Sequence, residues 1–387
     1  MNIMKNTSQN LVCRQIRILV YLTILSAMNG CGTSNDELNV DVGDNVSVET
    51  FVPEGLPARW SHLFAFTSDS IGYAATNDLR SDEYIISKTS DRGRTWERQC
   101  SARGKCIILK SYKDKVYYSC ERKVDDSVFK SEIGFIYNGR CNKVLSNIKG
   151  RVYSMNMFND STLTYTEDPA YHKKFSDSYE LSDSTYLSTD TGKTWKTLYT
   201  DLKKVTVFGY DSLNVYMTSY FGVPPAVSAC WVVSDINTGS RRIYETGYVY
   251  TAFVDNGILM RDAMFYRCDD NMKHISTYYW NGNGFMNNHG SYNACYFAKS
   301  GETALAYATQ FPGKENREEC IFYSTDGGYN WRTFAIGDGL IRHGFIQPNA
   351  AKIPTEVGLS VIFQDYSDSL RIVNIRTNAE IQKDLKL

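Results

Sequence analysis

The chain has 387 residues, enough for one large domain or two or three small ones, and its 42 Lys+Arg against 43 Asp+Glu leave a formal net charge of −1. That balance excludes the basic field expected of a nucleic-acid binder and offers no electrostatic attraction to an acidic surface. Tyr is abundant at 28 and Pro scarce at 8, and β-branched and aromatic residues recur in short runs rather than at helical spacing, so the composition predicts an all-β protein.

Residues 1–30 read as a signal peptide. Lys5, Arg14 and Arg17 make a basic opening, 18–25 a short apolar core, and Ser26 to Gly30 a small-residue approach to Cys31. The apolar core is too short to cross a bilayer, which takes about 20 apolar residues. With Gly30 directly before Cys31, this end resembles a bacterial lipobox. The resemblance implies a lipid on Cys31, export, and anchoring in the bacterial envelope, at the outer membrane or a periplasm-facing membrane; the loose fit of Met28 and Asn29 leaves ordinary signal-peptidase cleavage as the alternative. Residues 31–45, rich in Gly, Asn, Asp and Ser, are expected to be a flexible tether, and 46–387 the folded domain.

Within that domain one octet recurs. Thr89 to Trp96, Ser188 to Trp195 and Ser324 to Trp331 each place an Asp (Asp91, Asp190, Asp326), a Gly two residues on (Gly93, Gly192, Gly328), and a Trp three residues later (Trp96, Trp195, Trp331). Asp accepts backbone N–H bonds in a turn, Gly tolerates positive φ, and the Trp opens the next strand and packs back over the turn. These octets resemble the Asp-box (BNR) repeat of sialidase-like β-propellers. Weaker turns at Asn138, Asp235, Asn281 and Asp368 fill the gaps, giving intervals of 42 to 52 residues along the chain. Seven units of that length, each with four short β runs, predict a seven-bladed β-propeller with four-stranded antiparallel blades.

The strand order sorts the connections. First-to-second turns and boxes share one end; second-to-third and blade-to-blade connections share the other. The second set is long and irregular, with 261–274 and its aromatic run 264–267 read as such a loop before a third β run at 276–279, so any binding site is expected there. Its ligand-binding candidates are Arg59, Tyr171, His172, Tyr220, Phe221, Arg261, Asp262 and Arg342, aromatic and charged side chains suited to protein or sugar surfaces.

Sialidases of this fold hold a substrate carboxylate with three Arg, attack with a Tyr activated by Glu, and use an Asp as acid and base. The resemblance therefore implies a test for Arg59, Arg261 and Arg342 as such a triad. Against it, Pro57-Ala58-Arg59-Trp60 keeps the Arg but not the Arg-Ile-Pro of the family, and no nucleophile elbow, His-Glu-x-x-His or phosphate loop is present. No catalytic residue is assigned, and no metal or cofactor is expected, since no Cys/His cluster has ligand spacing. The expectation is a monomeric, non-catalytic binding or assembly protein with an envelope protein or glycan as partner; the alternative is a diverged glycoside hydrolase of the sialidase-like class. Eight Cys downstream of Cys31 permit up to four disulfides in an exported chain. The strand order places Cys100 at the loop-rich end and Cys141 at the other, favours Cys106 with Cys120, and leaves the remaining pairings open.

Overall fold

The computed structural model describes residues 38–384 apart from 44, 58–60, 79–80, 125–128, 169–182, 211–212, 222–227, 248–252, 256–257, 262–263, 269–274, 279–291, 311–318, 328–331, 335–349 and 365–367. The chain divides into two compact units, 1–36 and 37–387. The first, with the expected signal peptide and Cys31, lies outside the described residues.

The second unit is built of antiparallel sheets whose strands pair in chain order. Ser61–Phe66, Gly72–Asp78, Glu83–Thr89 and Glu97–Arg103 form the first; Lys105–Tyr112, Lys115–Lys123, Phe129–Tyr137 and Arg140–Ile148 form the second. A long sheet of seven strands follows: Arg151–Met157, Leu163–Asp168, Asp183–Ser188, Lys196–Tyr210, Asn214–Phe221, Ser228–Asp235 and Arg241–Gly247. Two further four-stranded sheets start at Phe253–Asp255 and Tyr292–Ser300.

The first strands of successive sheets lie against one another, as Ser61–Phe66 does against Lys105–Tyr112, in the manner of propeller blades. Middle strands are therefore covered on both faces. Leu63, Ala75 and Ile86 of the first sheet pack on Leu109, Val116 and Ile136 of the second, while Phe64, Phe66 and Trp96 pack the other way, on Ile353, Ile362 and Ile372. This two-sided burial explains why the sequence shows apolar runs rather than strict alternation. Outer strands face water: Glu97–Arg103 is mostly exposed along its length.

The sheet that closes the ring joins both ends of the domain. Ala350–Ile353, Leu359–Gln364 and Leu370–Ile375 supply three strands, and Val46–Phe51 pairs with the last in antiparallel register, Val46 opposite Ile375 and Phe51 opposite Leu370. Leu38–Gly43 then adds outside Val46–Phe51, so part of the stretch expected to be a tether is strand. A short helix, Asn378–Asp384, follows, its start fixed by a reciprocal capping box between Thr377 and Glu380.

Two expectations need correction. In the sheet that begins at Phe253–Asp255, Met264–Cys268 is the third strand and Ile275–Tyr278 the fourth, whereas the sequence reading made 264–267 loop and 276–279 the third strand. Met264 to Cys268 carries two adjacent aromatic residues, Phe265 and Tyr266, which favour extended backbone, and needs only a two-residue connection after Arg261, so it pairs directly. The Cys106–Cys120 disulfide is also absent. The two are Cα partners, as the strand order requires, but both are buried free thiols. Cys106 donates to Ile108 O at 3.4 Å and Cys120 bonds Tyr84, inside the apolar contact with the first sheet. Burial pushes both thiols well above their usual pKa. Instead Cys100 is joined to Cys141. That bridge links the outer strands Glu97–Arg103 and Arg140–Ile148 of neighbouring sheets, and Cys100 lies mid-strand opposite Ile86 rather than among the long loops.

Candidate functional site

The box turns are built almost identically. Asp91 Oδ1 accepts from Thr95 N at 2.9 Å and its Oδ2 from the Thr95 hydroxyl at 2.5 Å, while Thr89 Oγ accepts from Gly93 N at 2.9 Å. Asp190 repeats this with Thr194 N at 2.9 Å and the Thr194 hydroxyl at 2.6 Å. Ser324 donates to Asp326 in the third copy; Gly328 and Trp331 lie outside the described residues. Arg92 and Gly93, and Thr191 and Gly192, all have positive φ. Trp96 and Trp195 donate their indole N–H back to Gly93 O and Gly192 O at 2.7 and 3.0 Å. The residue after each Asp donates its N–H to the preceding first-to-second turn, as in Arg92 to Ser70 O, Thr191 to Ser161 O and Gly327 to Glu302 O. Ile236 to Leu213 O is the same bond, which marks Asp235 as a fourth equivalent turn.

Bonds from the Thr194 hydroxyl and N–H hold the Asp190 carboxyl down at about 2. At Asp91 burial pushes upward, but the Thr95 and Thr89 bonds prevail and the net shift is down. These carboxylates are committed to turn geometry.

At the opposite end, side chains near the ends of second strands tie one sheet to the next. Asn77 brackets Cys106, accepting from its N–H at 2.7 Å and donating to its carbonyl at 2.9 Å. Gln364 accepts from His62 N at 3.2 Å, and the His62 ring, 1% exposed, bonds Thr76 at 2.8 Å. The long sheet does this with charge. Arg151 Nε donates to Glu121 Oε2 at 2.6 Å and its Nη2 to Oε1, with side chains only 7% and 5% exposed. Glu167 accepts from Gly150 N at 3.3 Å and from the Tyr186 hydroxyl at 2.9 Å. Asp183 accepts from Val205 N at 3.1 Å and from the Tyr153 hydroxyl. Burial, with the neighbouring carboxylates, pushes both tyrosine hydroxyls upward. Glu121, Arg151 and Glu167 carry no signal in the sequence, because their partners lie 17 to 30 residues away.

Of the sequence candidates, Tyr220 and Phe221 end the second strand Asn214–Phe221 and Arg261 ends Ile258–Arg261, so the backbone brings all three to this end. Arg59, Tyr171, His172, Asp262 and Arg342 lie outside the described residues.

A cavity of about 330 Å³ sits elsewhere, among the first strands of four sheets. Phe64, Lys110, Ser111, Tyr296, Ala351 and Lys352 help line it. On Lys105–Tyr112 the lining residues, Leu109 to Ser111, fall in the second half of the strand. Among the described residues no group of His, Cys, Asp and Glu is arranged to hold a metal ion.

No protein-family model and no curated protein matches the chain. Among solved structures, an oligogalacturonate lyase from Vibrio parahaemolyticus is similar with a TM-score of 0.57 and 8% identity, over 89% of this chain and 98% of that one. An uncharacterized protein from Listeria monocytogenes EGD-e follows with a TM-score of 0.50 and 9% identity, over 82% and 93% of the two chains. A prolyl endopeptidase gives 0.50 and 10% over 86% of this chain but 55% of its own length, so this chain spans about half of it. At such identities the likeness speaks for the fold alone, and with the stacked four-stranded sheets that fold is a β-propeller.

Proposed function

We propose that the chain is an exported, lipid-anchored, seven-bladed β-propeller that binds an envelope protein or glycan rather than catalysing a reaction. The blade count follows if the long sheet is two blades sharing Lys196–Tyr210, whose early residues pair with Asp183–Ser188 and later ones with Asn214–Phe221. One observation carries the functional reading: at the loop-rich end the buried carboxylates Glu121, Glu167 and Asp183 are bonded across neighbouring strands and sheets. Their tyrosine partners are held protonated, the reverse of what a nucleophile needs. Long loops on so rigid an end suit recognition. Lipid attachment at Cys31 supplies the anchor in this reading, each buried CH₂ contributing about 0.8 kcal/mol.

The runner-up, a diverged glycoside hydrolase, draws on one contact, Tyr186 Oη to Glu167 Oε1 at 2.9 Å, a Tyr–Glu pair of the kind sialidase-like enzymes use. The two readings part in one experiment. The full-length protein in detergent is used to capture partners from envelope extracts, probed on a glycan array, and assayed with aryl glycosides. Saturable capture or glycan retention without turnover supports the binding protein; turnover that Tyr186→Phe abolishes overturns it.

A further inference from the structure

The first box differs from the others in the residues that flank its Gly: Arg92-Gly93-Arg94 stands where the second has Thr191-Gly192-Lys193 and the third Gly327-Gly328-Tyr329. Both arginines reach past their own sheet to the one that closes the ring. Arg92 Nη2 donates to Ser360 Oγ and to Asn374 Oδ1, each at 2.8 Å, and its Nη1 stands 3.6 Å from Glu49 Oε1 on the N-terminal strand Val46–Phe51. Arg94 Nη2 meets the other oxygen of that carboxylate at 3.0 Å, and its guanidinium lies 5.3 Å from the centre of the Phe51 ring. Asn374 Nδ2 donates to Glu49 Oε1 at 3.0 Å, which ties the strand to Leu370–Ile375 through side chains as well as backbone. Asp69 Oδ1, 3.3 Å from Arg92 Nε, completes a cluster of two cations and two carboxylates. Beyond the strand, Glu54 N donates to Arg94 O at 2.8 Å and Glu54 O accepts from Trp96 N at 2.9 Å.

We infer that the first box is a charge-operated latch: Arg92 and Arg94, closed on Glu49, hold Val46–Phe51 against Leu370–Ile375, and screening of the cluster lets that strand open while the other sheets stay folded. The strand is suited to local opening. Its chain continues into the first sheet, so no connection joins it to the other three strands that close the ring, and among the described residues Leu38–Gly43 pairs only with it. The hairpin of Leu38–Gly43 and Val46–Phe51 can therefore leave as one unit at the cost of a single ladder and the burial of Val46, Val48 and Phe51. An isolated exposed pair would contribute too little to govern this, but here one carboxylate takes two guanidiniums and an amide. Side-chain exposures of 24% for Arg92, 21% for Glu49 and 35% for Arg94 leave the network within reach of salt ions. The latch does not depend on what the loop-rich end binds.

Hydrogen exchange of the full-length protein in detergent, read by mass spectrometry at about 0.02 M and about 0.5 M NaCl, tests it. Peptides covering 46–51 and 370–375 are expected to exchange at least threefold faster at the higher salt, with peptides from Lys105–Tyr112 and Leu163–Asp168 unchanged. Glu49→Gln and Arg92→Met should each give fast seam exchange, tenfold or more above wild type, already at low salt, and should lose the salt response. Arg92→Lys, which keeps the charge, should recover part of both. Ser360→Ala, which removes only a neutral acceptor, should keep the salt response. Circular dichroism melting shows whether each variant folds, and should Arg92→Met not fold, the wild-type salt series and Arg92→Lys decide. Seam exchange in wild type that ignores salt, equal acceleration in every sheet, or wild-type seam exchange in a folded Glu49→Gln variant overturns the inference.

Discussion

The two ends of the propeller solve the same problem with opposite means. At the box end the bonds are local: Asp91 to Thr95 and Asp190 to Thr194 span four residues, in carboxylates that water reaches. At the other end they are distant and buried: Glu121 to Arg151 spans 30 residues with both side chains nearly dry. A local, hydrated bond shapes a turn and is worth little alone. A buried pair holds two sheets in one relation, and losing either partner strands the other. Sheet-to-sheet position is therefore predicted to be most sensitive at the loop-rich end and turn shape at the box end.

The largest effect should come from Arg151→Met, which leaves Glu121 buried without its guanidinium and is expected to cost about 3–5 kcal/mol. Denaturant unfolding measures it, and adding Glu121→Leu should recover most of the loss. If the single variant loses under 1 kcal/mol, the contrast between the ends fails.

Next comes Trp96→Ala. This ring is 6% exposed, between the first and closing sheets, so its removal should cost about 3–5 kcal/mol. Trp195, half-buried beside Tyr165 at 4.8 Å, should cost less. Equal losses would mean that the two boxes seat their rings alike.

Gly192→Ala should be smaller. Gly192 has φ +85° and an added Cβ would stand 2.1 Å from Val144 Cγ1 on the preceding sheet, whereas Gly239, at φ +69°, has nothing within 4 Å. Gly239→Ala should cost only the left-handed penalty of about 1–2 kcal/mol, and Gly192→Ala more, partly relieved by Val144→Ala. Thermal melting of the three variants separates backbone strain from collision.

The smallest effect is in acid. The Asp190 carboxyl is lowered from 3.8 to about 2, so its stabilisation is complete above its unfolded value and is lost as pH falls from about 4 to about 2. Asp190→Asn should flatten the melting temperature across that window and leave its neutral-pH slope unchanged. A variant that still shows the full acid drop would move the origin of that drop to other carboxylates.

What the sequence discloses follows the same division. Asp, Gly and Trp of the boxes are close in the chain, and the bonds they make are legible as spacing. The equivalence of Asp235 is legible too, because Ser234 to Gly239 is turn-forming on its face. Glu121, Arg151, Glu167 and Asp183 look like any surface charge until distant strands are brought together. The cavity joins four strands drawn from 64 to 352 and has no linear signature at all. Met264–Cys268 was misplaced because nothing but pairing distinguishes a short aromatic strand from an aromatic loop. The C-terminal helix did have a signal, Thr377 followed by Glu380 three residues on, which the all-β composition overshadowed.

The pairing of Val46–Phe51 with Leu370–Ile375 carries a kinetic consequence. During synthesis the early strand emerges more than 300 residues before its partner, so it exposes an unpaired edge while the intervening sheets form. Closure is then a late, high-contact-order step whose barrier is set by loop entropy rather than by local strand propensity. A nascent chain interrupted before residue 370 holds folded early sheets and an open seam, and that seam is where self-association of unfinished molecules would begin.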